Sequence, residues 1–151
     1  MSTLTEVKRW EGFRLEGLND VAHDLGQTLP LHGVVAIHGA MGAGKTTVVR
    51  RLLEVWKVEE EGASPTFGLV HHHTVDRGSG PTEVRHMDLY RLENEEEAER
   101  SGIAEMLTDA VLNLVEWPER IPGLMPPDAW LLQVVVEDDD SRSCILSQLR
   151  D

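Results

Sequence analysis

Apolar positions along this chain alternate between two spacings. Residues 33–38, Gly-Val-Val-Ala-Ile-His, form a short, continuous, β-branched run bounded by glycines, the pattern of a parallel strand buried on both faces. After a glycine-rich break, Val48, Val49, Leu52, Leu53 and Trp56 recur at helical spacing, predicting an amphipathic helix from Thr46 onward. Leu18, Val21, Ala22, Leu25 and Leu29 do the same earlier, predicting a helix over 20–29 capped by Asn19. A breaker at 62–65 precedes a strand over 66–74. A turn at 76–81, with two glycines and a proline, leads to an antiparallel partner over 82–88.

Farther on, Asn94 and Glu97 have capping-box spacing and Gly102 stands at a helix end, predicting a short helix over 95–101. A further helical turn over 103–108 leads into a second strongly apolar strand, 110–115, which ends at Glu116. Strands over 130–137 and 143–149 flank an acidic turn at 138–141. No repeat or long linker divides the chain, so residues 1–151 are expected to form a single domain with its own core.

Residues 39–46 read GAMGAGKT and fit G-x-x-x-x-G-K-[ST] at Gly39, Gly44, Lys45 and Thr46. The chemistry requires this spacing because successive backbone N–H groups must curl around a polyphosphate, where a Cβ would obstruct the approach. The flanks comply: a buried strand enters the loop and a helix leaves it, with the positive end of the helix dipole facing an anion. Ala40, Met41, Gly42, Ala43, Gly44, Lys45, Thr46 and Thr47 are therefore candidate nucleotide contacts. Lys45 would reach the β and γ phosphates, and the Thr46 hydroxyl would ligate Mg²⁺. The fold class that follows is α/β: a P-loop NTPase-like three-layer sandwich with a mixed, mainly parallel central sheet and a C-terminal β-hairpin.

Such a loop works with an acid at the end of a neighbouring strand, which holds Mg²⁺ or its water shell. Two carboxylates compete. Glu116 ends the better buried strand; Asp88 ends the more polar Val84-Arg85-His86-Met87-Asp88. Either could equally be an exposed strand end or a helix cap. Ser64-Pro65-Thr66-Phe67 reads first as a turn entering a strand, although its hydroxyls could orient water or sense the γ phosphate.

Charge narrows the picture further. Fourteen Lys and Arg stand against 27 Asp and Glu, a net charge of -13, which disfavours direct, tight nucleic-acid binding. The single Cys144 excludes an intramolecular disulfide. No apolar stretch approaches the roughly 20 residues that span a bilayer, and the N-terminal region lacks a signal-peptide segment, so the expectation is a cytoplasmic protein with no membrane partner.

Taken in order, GAMGAGKTT, SPTF, HMDLYRL at 86–92 and LVEWPER at 114–120 resemble the TsaE family of small bacterial ATPases, which support threonylcarbamoyladenosine (t6A37) modification of tRNA. The resemblance runs from about residue 19 to 130, and the succession of motifs is far more specific than the phosphate loop alone. It implies ATP and Mg²⁺ as cofactors, with Thr46 and Glu116 as metal ligands. It makes 64–66 and 88–91 switch-like elements near the γ phosphate and places Trp117 near the nucleotide. It further implies that the partners are the two paralogous subunits of the tRNA threonylcarbamoyl transfer complex, which hydrolysis resets, so that tRNA is met only indirectly. Members of the family often carry Thr where this chain has Ala22, so adenine contacts from the first helix are not carried over.

The candidate catalytic set is thus Lys45, Asp88, Glu116 and Thr66, with Thr46, Glu116 and Asp88 toward the metal. Water activation is left between Asp88 and a Thr66-oriented water. Of the consecutive His71, His72 and His73, at most two share a strand face, which argues against a transition-metal site. His86 either supports Asp88 or fills the strand face, and Trp10, Trp56 and Trp130 read as packing residues. Two rival classes remain, a small-molecule kinase and a nucleotide-dependent binding switch; isolated Arg120 and Arg142 offer the kinase no lid.

Overall fold

The structure is a computed structural model and describes residues 3–59 and 68–150. Among the described residues seven strands form one sheet: β1 (Thr3–Phe13), β2 (Gly33–His38), β3 (Val70–Asp76), β4 (Pro81–Asp88), β5 (Leu112–Glu116), β6 (Trp130–Val136) and β7 (Arg142–Arg150), in the order β1-β7-β6-β2-β5-β4-β3. The four central strands, β6, β2, β5 and β4, are parallel, and antiparallel β3 on one side and β7 with β1 on the other complete a mixed sheet.

The layering follows from strand parity. On one face, Val35 and Ile37 of β2 with Leu112 and Leu114 of β5 pack against α1 (Leu18–Thr28) and α2 (Lys45–Val55). On the other, Val34, Met87 and Val115 meet Ala98 of α3 (Glu95–Arg100) and Ile103 of α4 (Ile103–Met106). Both faces of β2 and β5 are therefore covered, which is why they read as largely apolar runs, with Asn113 the buried polar exception inside β5. The expected three layers and the C-terminal hairpin, β6 with β7, are present.

Two local features depart from the sequence reading. Strand β1 has no counterpart among the predicted elements: almost all its positions are exposed, and it holds its edge place by pairing with β7. Helix α1 starts at Leu18 with Gly17 at the cap position, so Asn19 lies inside it. A 3₁₀ turn, Leu15–Gly17, runs straight into the helix, and the Leu18 N–H already donates to the Leu15 carbonyl, leaving Asn19 no cap to fill. The C-terminal end of α1 is capped from 47 to 51 residues away: Arg77 donates to the carbonyls of Pro30, Gly26 and Leu29 at 2.7, 2.9 and 2.9 Å while lying over the Trp56 ring.

The Asn94 cap forms as expected, its side chain accepting from the Glu97 N–H at 3.0 Å. The predicted strand from 66 begins at Val70 among the described residues; the SPTF segment, and with it Thr66, lies outside them. Among the described residues no helix is long and apolar enough to cross a membrane.

Candidate functional site

Strand β2 delivers the chain to Gly39, where an added Cβ would stand 2.7 Å from the backbone carbonyl oxygen of Val134 on β6. The loop passes this pinch and turns through Gly42 (φ 81°) and Gly44 (φ 104°), both in the left-handed region that favours glycine. Ideal Cβ atoms on these two glycines meet nothing within 4 Å among the described residues, which leave space in front of the loop backbone. Helix α2 then opens at Lys45, its first N–H groups turned toward that space.

Lys45 is 6% exposed, and its Nζ is buried without a hydrogen-bond partner among the described residues. It rests 3.7 Å from the centroid of the Trp117 ring. A buried ammonium set against a π system, with no hydrogen bond among the described residues, has three unused donors, which suits an anion entering the cradle. Trp117 itself adopts a left-handed backbone (φ 60°, ψ 50°), an uncommon conformation for a bulky residue that costs about 1–3 kcal/mol. That turn directs the indole across the loop, where Tyr90 packs on it at 5.0 Å.

Parallel pairing brings the two candidate carboxylates side by side: Asp88 of β4 is in register with Glu116 of β5, both at carboxyl ends. Glu116 is almost fully buried, 2% exposed. The Thr46 hydroxyl donates to its Oε1 and Oε2 at 2.9 and 3.1 Å, and His86 Nε2–H donates to Oε2 at 2.5 Å. Burial pushes the Glu116 carboxyl up, but His86, the Thr46 hydroxyl and the Lys45 charge outweigh it and hold the group below its ordinary value. Asp88 is half-buried and accepts from the Tyr90 N–H at 3.2 Å.

A cavity of about 390 Å³ collects Met41, Gly42, Gly44, Lys45, Thr46, Thr47, Asp88, Tyr90, Glu116 and Trp117. Most of the residues expected from the sequence thus converge. Ala40 does not line it, its carbonyl being taken by the Ala43 N–H at 3.0 Å, and Met41 stands at the rim, 66% exposed. Ala43 is buried in the core and borders a neighbouring cavity of about 450 Å³ instead. That second space shares Gly42, Gly44 and Thr47 with the first and is walled by Phe13, Leu15, Leu18, Val48, Arg14 and Arg142.

Two contributors were not legible as such. His86 bonds Glu116 rather than Asp88, across 30 residues of sequence. Arg142 is not isolated: its Nε donates to the Ala43 carbonyl at 2.8 Å, tying the glycine loop to the C-terminal hairpin. No local pattern announces a contact made 99 residues away. Arg120 lies over the Tyr90 ring at 5.7 Å.

A buried strand, glycine loop and helix, with a buried lysine and two strand-end carboxylates around one cavity, define a phosphate-loop protein of the α/β class. The model of the family described as threonylcarbamoyl adenosine biosynthesis protein TsaE matches residues 14–144, and the chain belongs to that family. It is similar to the tRNA threonylcarbamoyladenosine biosynthesis protein TsaE of Rickettsia bellii, 32% identical over 130 residues covering 85% of this chain and 87% of that protein. The protein of the same name from Aquifex aeolicus is 33% identical over 124 residues, covering 81% and 82%. The crystal structure of Bacillus subtilis YdiB shares the fold with a TM-score of 0.72 at 21% identity, covering 98% of this chain and 87% of that one.

Proposed function

We propose that this chain binds and hydrolyses ATP with Mg²⁺ and that the turnover drives or resets the threonylcarbamoyl transfer complex during tRNA modification. The observation that carries the reading is the convergence of Lys45, with its unpartnered buried ammonium, Thr46, Asp88 and Glu116 on one cavity. In this reading the triphosphate lies against the loop and the nucleoside in the adjoining cavity, whose wall combines Phe13, Leu15 and Val48 with the charged Arg14, Glu16, Asp140 and Arg142.

In this reading the N–H groups of 42–46 cradle the phosphates, and Lys45 leaves the Trp117 face to neutralise the β and γ oxygens. Thr46 and Glu116, with Asp88 beside them, hold Mg²⁺. When bound, that ion offsets the charge that develops on the phosphoryl oxygens. Either Asp88 assists the attacking water or Thr66 orients it toward the γ phosphorus. Arg142 keeps the loop closed against the hairpin, so the cradle is formed before the nucleotide arrives.

The partners in this reading are the two paralogous subunits of the transfer complex. Family membership supports them, and so does the net charge of -13, which favours protein contacts over a direct hold on tRNA. The test measures ATPase rate with and without those two proteins, alongside modified tRNA formed by intact protein, Lys45→Ala and Glu116→Ala. Partner-stimulated turnover that both variants lose, with multiple rounds of modification lost in parallel, supports the proposal. Normal turnover by Lys45→Ala removes the assigned site, and repeated modification by a hydrolysis-dead Glu116→Ala removes the coupling.

A further inference from the structure

We infer that His86 is a positioning residue that sets the orientation of the Glu116 carboxylate toward the metal, an inference that rests on the ATP and Mg²⁺ reading above. The register His86↔Leu114 and Asp88↔Glu116 puts His86, Leu114 and Glu116 on the sheet face covered by α2, with His86 one pair behind the carboxylate. From there its Nε2–H reaches Glu116 Oε2 at 2.5 Å, while Oε1 lies 2.9 Å from the Thr46 hydroxyl. Both partners are buried, His86 at 8% and Glu116 at 2% exposure, so neither has water as a ready substitute.

The ring of His86 is held in turn. His71 pairs with it across β3 and β4, their rings stacked with centroids 5.9 Å apart at 28°, and His73 stacks on His71 at 6.3 Å and 14°. Three imidazoles thus form a row that ends at the carboxylate. This accounts for two of the three consecutive histidines; His72 turns to the opposite face and meets Glu83 at 3.1 Å. An apolar residue at 86 would fill the same space, yet it would leave Oε2 with only the longer 3.1 Å contact from the Thr46 hydroxyl among the described residues and let the carboxylate rotate. A carboxylate that itself ligates a metal is commonly fixed by such a hydrogen bond, and losing the bond lowers metal affinity by about 10–100-fold.

The test uses the full chain and titrates Mg²⁺ against binding of a fluorescent ATP analogue, with metal-free nucleotide affinity and the thermal unfolding midpoint as separate readouts. His86→Leu should raise the Mg²⁺ concentration at half effect by about 10–100-fold and leave metal-free affinity unchanged. His86→Gln, whose amide N–H can replace Nε2–H, should recover most of the loss, whereas the shorter His86→Asn should not. If His86→Leu does not fold, the Gln and Asn pair carries the comparison, and equal Mg²⁺ requirements for the two overturn the inference. A wild-type Mg²⁺ requirement in His86→Leu overturns it as well. So does an equal loss of metal-free affinity in all three variants, which marks a packing role. Absence of Mg²⁺-dependent nucleotide binding in the unmodified protein is a different result, because it removes the ATP reading on which the inference rests.

Discussion

Replacing Gly39 by alanine puts one methyl group where the sheet and the phosphate loop touch. The added Cβ would lie 2.7 Å from the Val134 carbonyl oxygen and 3.4 Å from both Ala43 Cβ and Lys45 Cγ. A carbon–oxygen contact normally needs roughly 0.6 Å more, and the obstructing atom is backbone within β6, which cannot swing aside as a side chain would. Gly39 is outside the left-handed region, so the penalty is steric alone. Overpacking of this kind costs about 1–3 kcal/mol, equivalent to about 5- to 150-fold in an equilibrium constant. If the loop yields, that factor falls on ATP-analogue affinity; if β6 yields, it falls on global stability. Titration of the analogue together with thermal unfolding should therefore register the cost in one or both. Gly17→Ala serves as control, since among the described residues its Cβ meets only Phe13 Cβ, at an ordinary 3.7 Å. Unchanged affinity and unchanged stability in Gly39→Ala would refute the pinch as the reason for this glycine.

Arg142→Ala should weaken analogue binding by about 5- to 10-fold, since it removes a charged donor from the Ala43 carbonyl at a partly exposed site. Arg142→Lys should not restore affinity, lacking the Nε geometry, and wild-type affinity in either variant counts against the tether. Arg77→Ala strips three carbonyls at the end of α1 and should lower the unfolding midpoint by roughly 5–10 °C; a shift under a degree would make the cap decorative. The buried Cys144 thiol is pushed up to about 12 by desolvation, so iodoacetamide at pH 8 should label it only when the chain is unfolded. For Glu116, whose carboxyl is held below its ordinary value near 4.5, the native state binds fewer protons than the unfolded chain around that pH. Its contribution is present above 4.5 and lost as pH falls through the depressed value, so Glu116→Gln should flatten the acid limb of a stability–pH curve; an equally steep limb contradicts the assignment.

How much of this could be read from residues alone depended on how local each cause was. The β2–loop–α2 unit was legible because its strand run, glycines and helical stripe are contiguous, and each excludes alternatives within a few residues. Glu116 was legible as a strand-end acid because β5 is apolar on both faces, yet its partnership with Thr46 required parallel pairing across 70 residues. His86 was assigned no certain partner, since whether it faces Asp88 or Glu116 depends on the register between β4 and β5. Strand β1 escaped because an exposed edge strand carries charge at positions where a core strand would show alternation, and its pairing with β7 spans almost the whole chain. Arg142 and Arg77 act through backbone carbonyls, which leave no trace in side-chain pattern.

In the proposed mechanism Lys45, which rests on the Trp117 ring, is the ligand that takes up the phosphate. Isothermal titration of an ATP analogue with Mg²⁺ into the unmodified chain and into Lys45→Ala tests it most directly. Loss of a buried charged partner should cost about 2–5 kcal/mol, at least roughly 30-fold in affinity. Equal affinity for the two proteins would contradict the account.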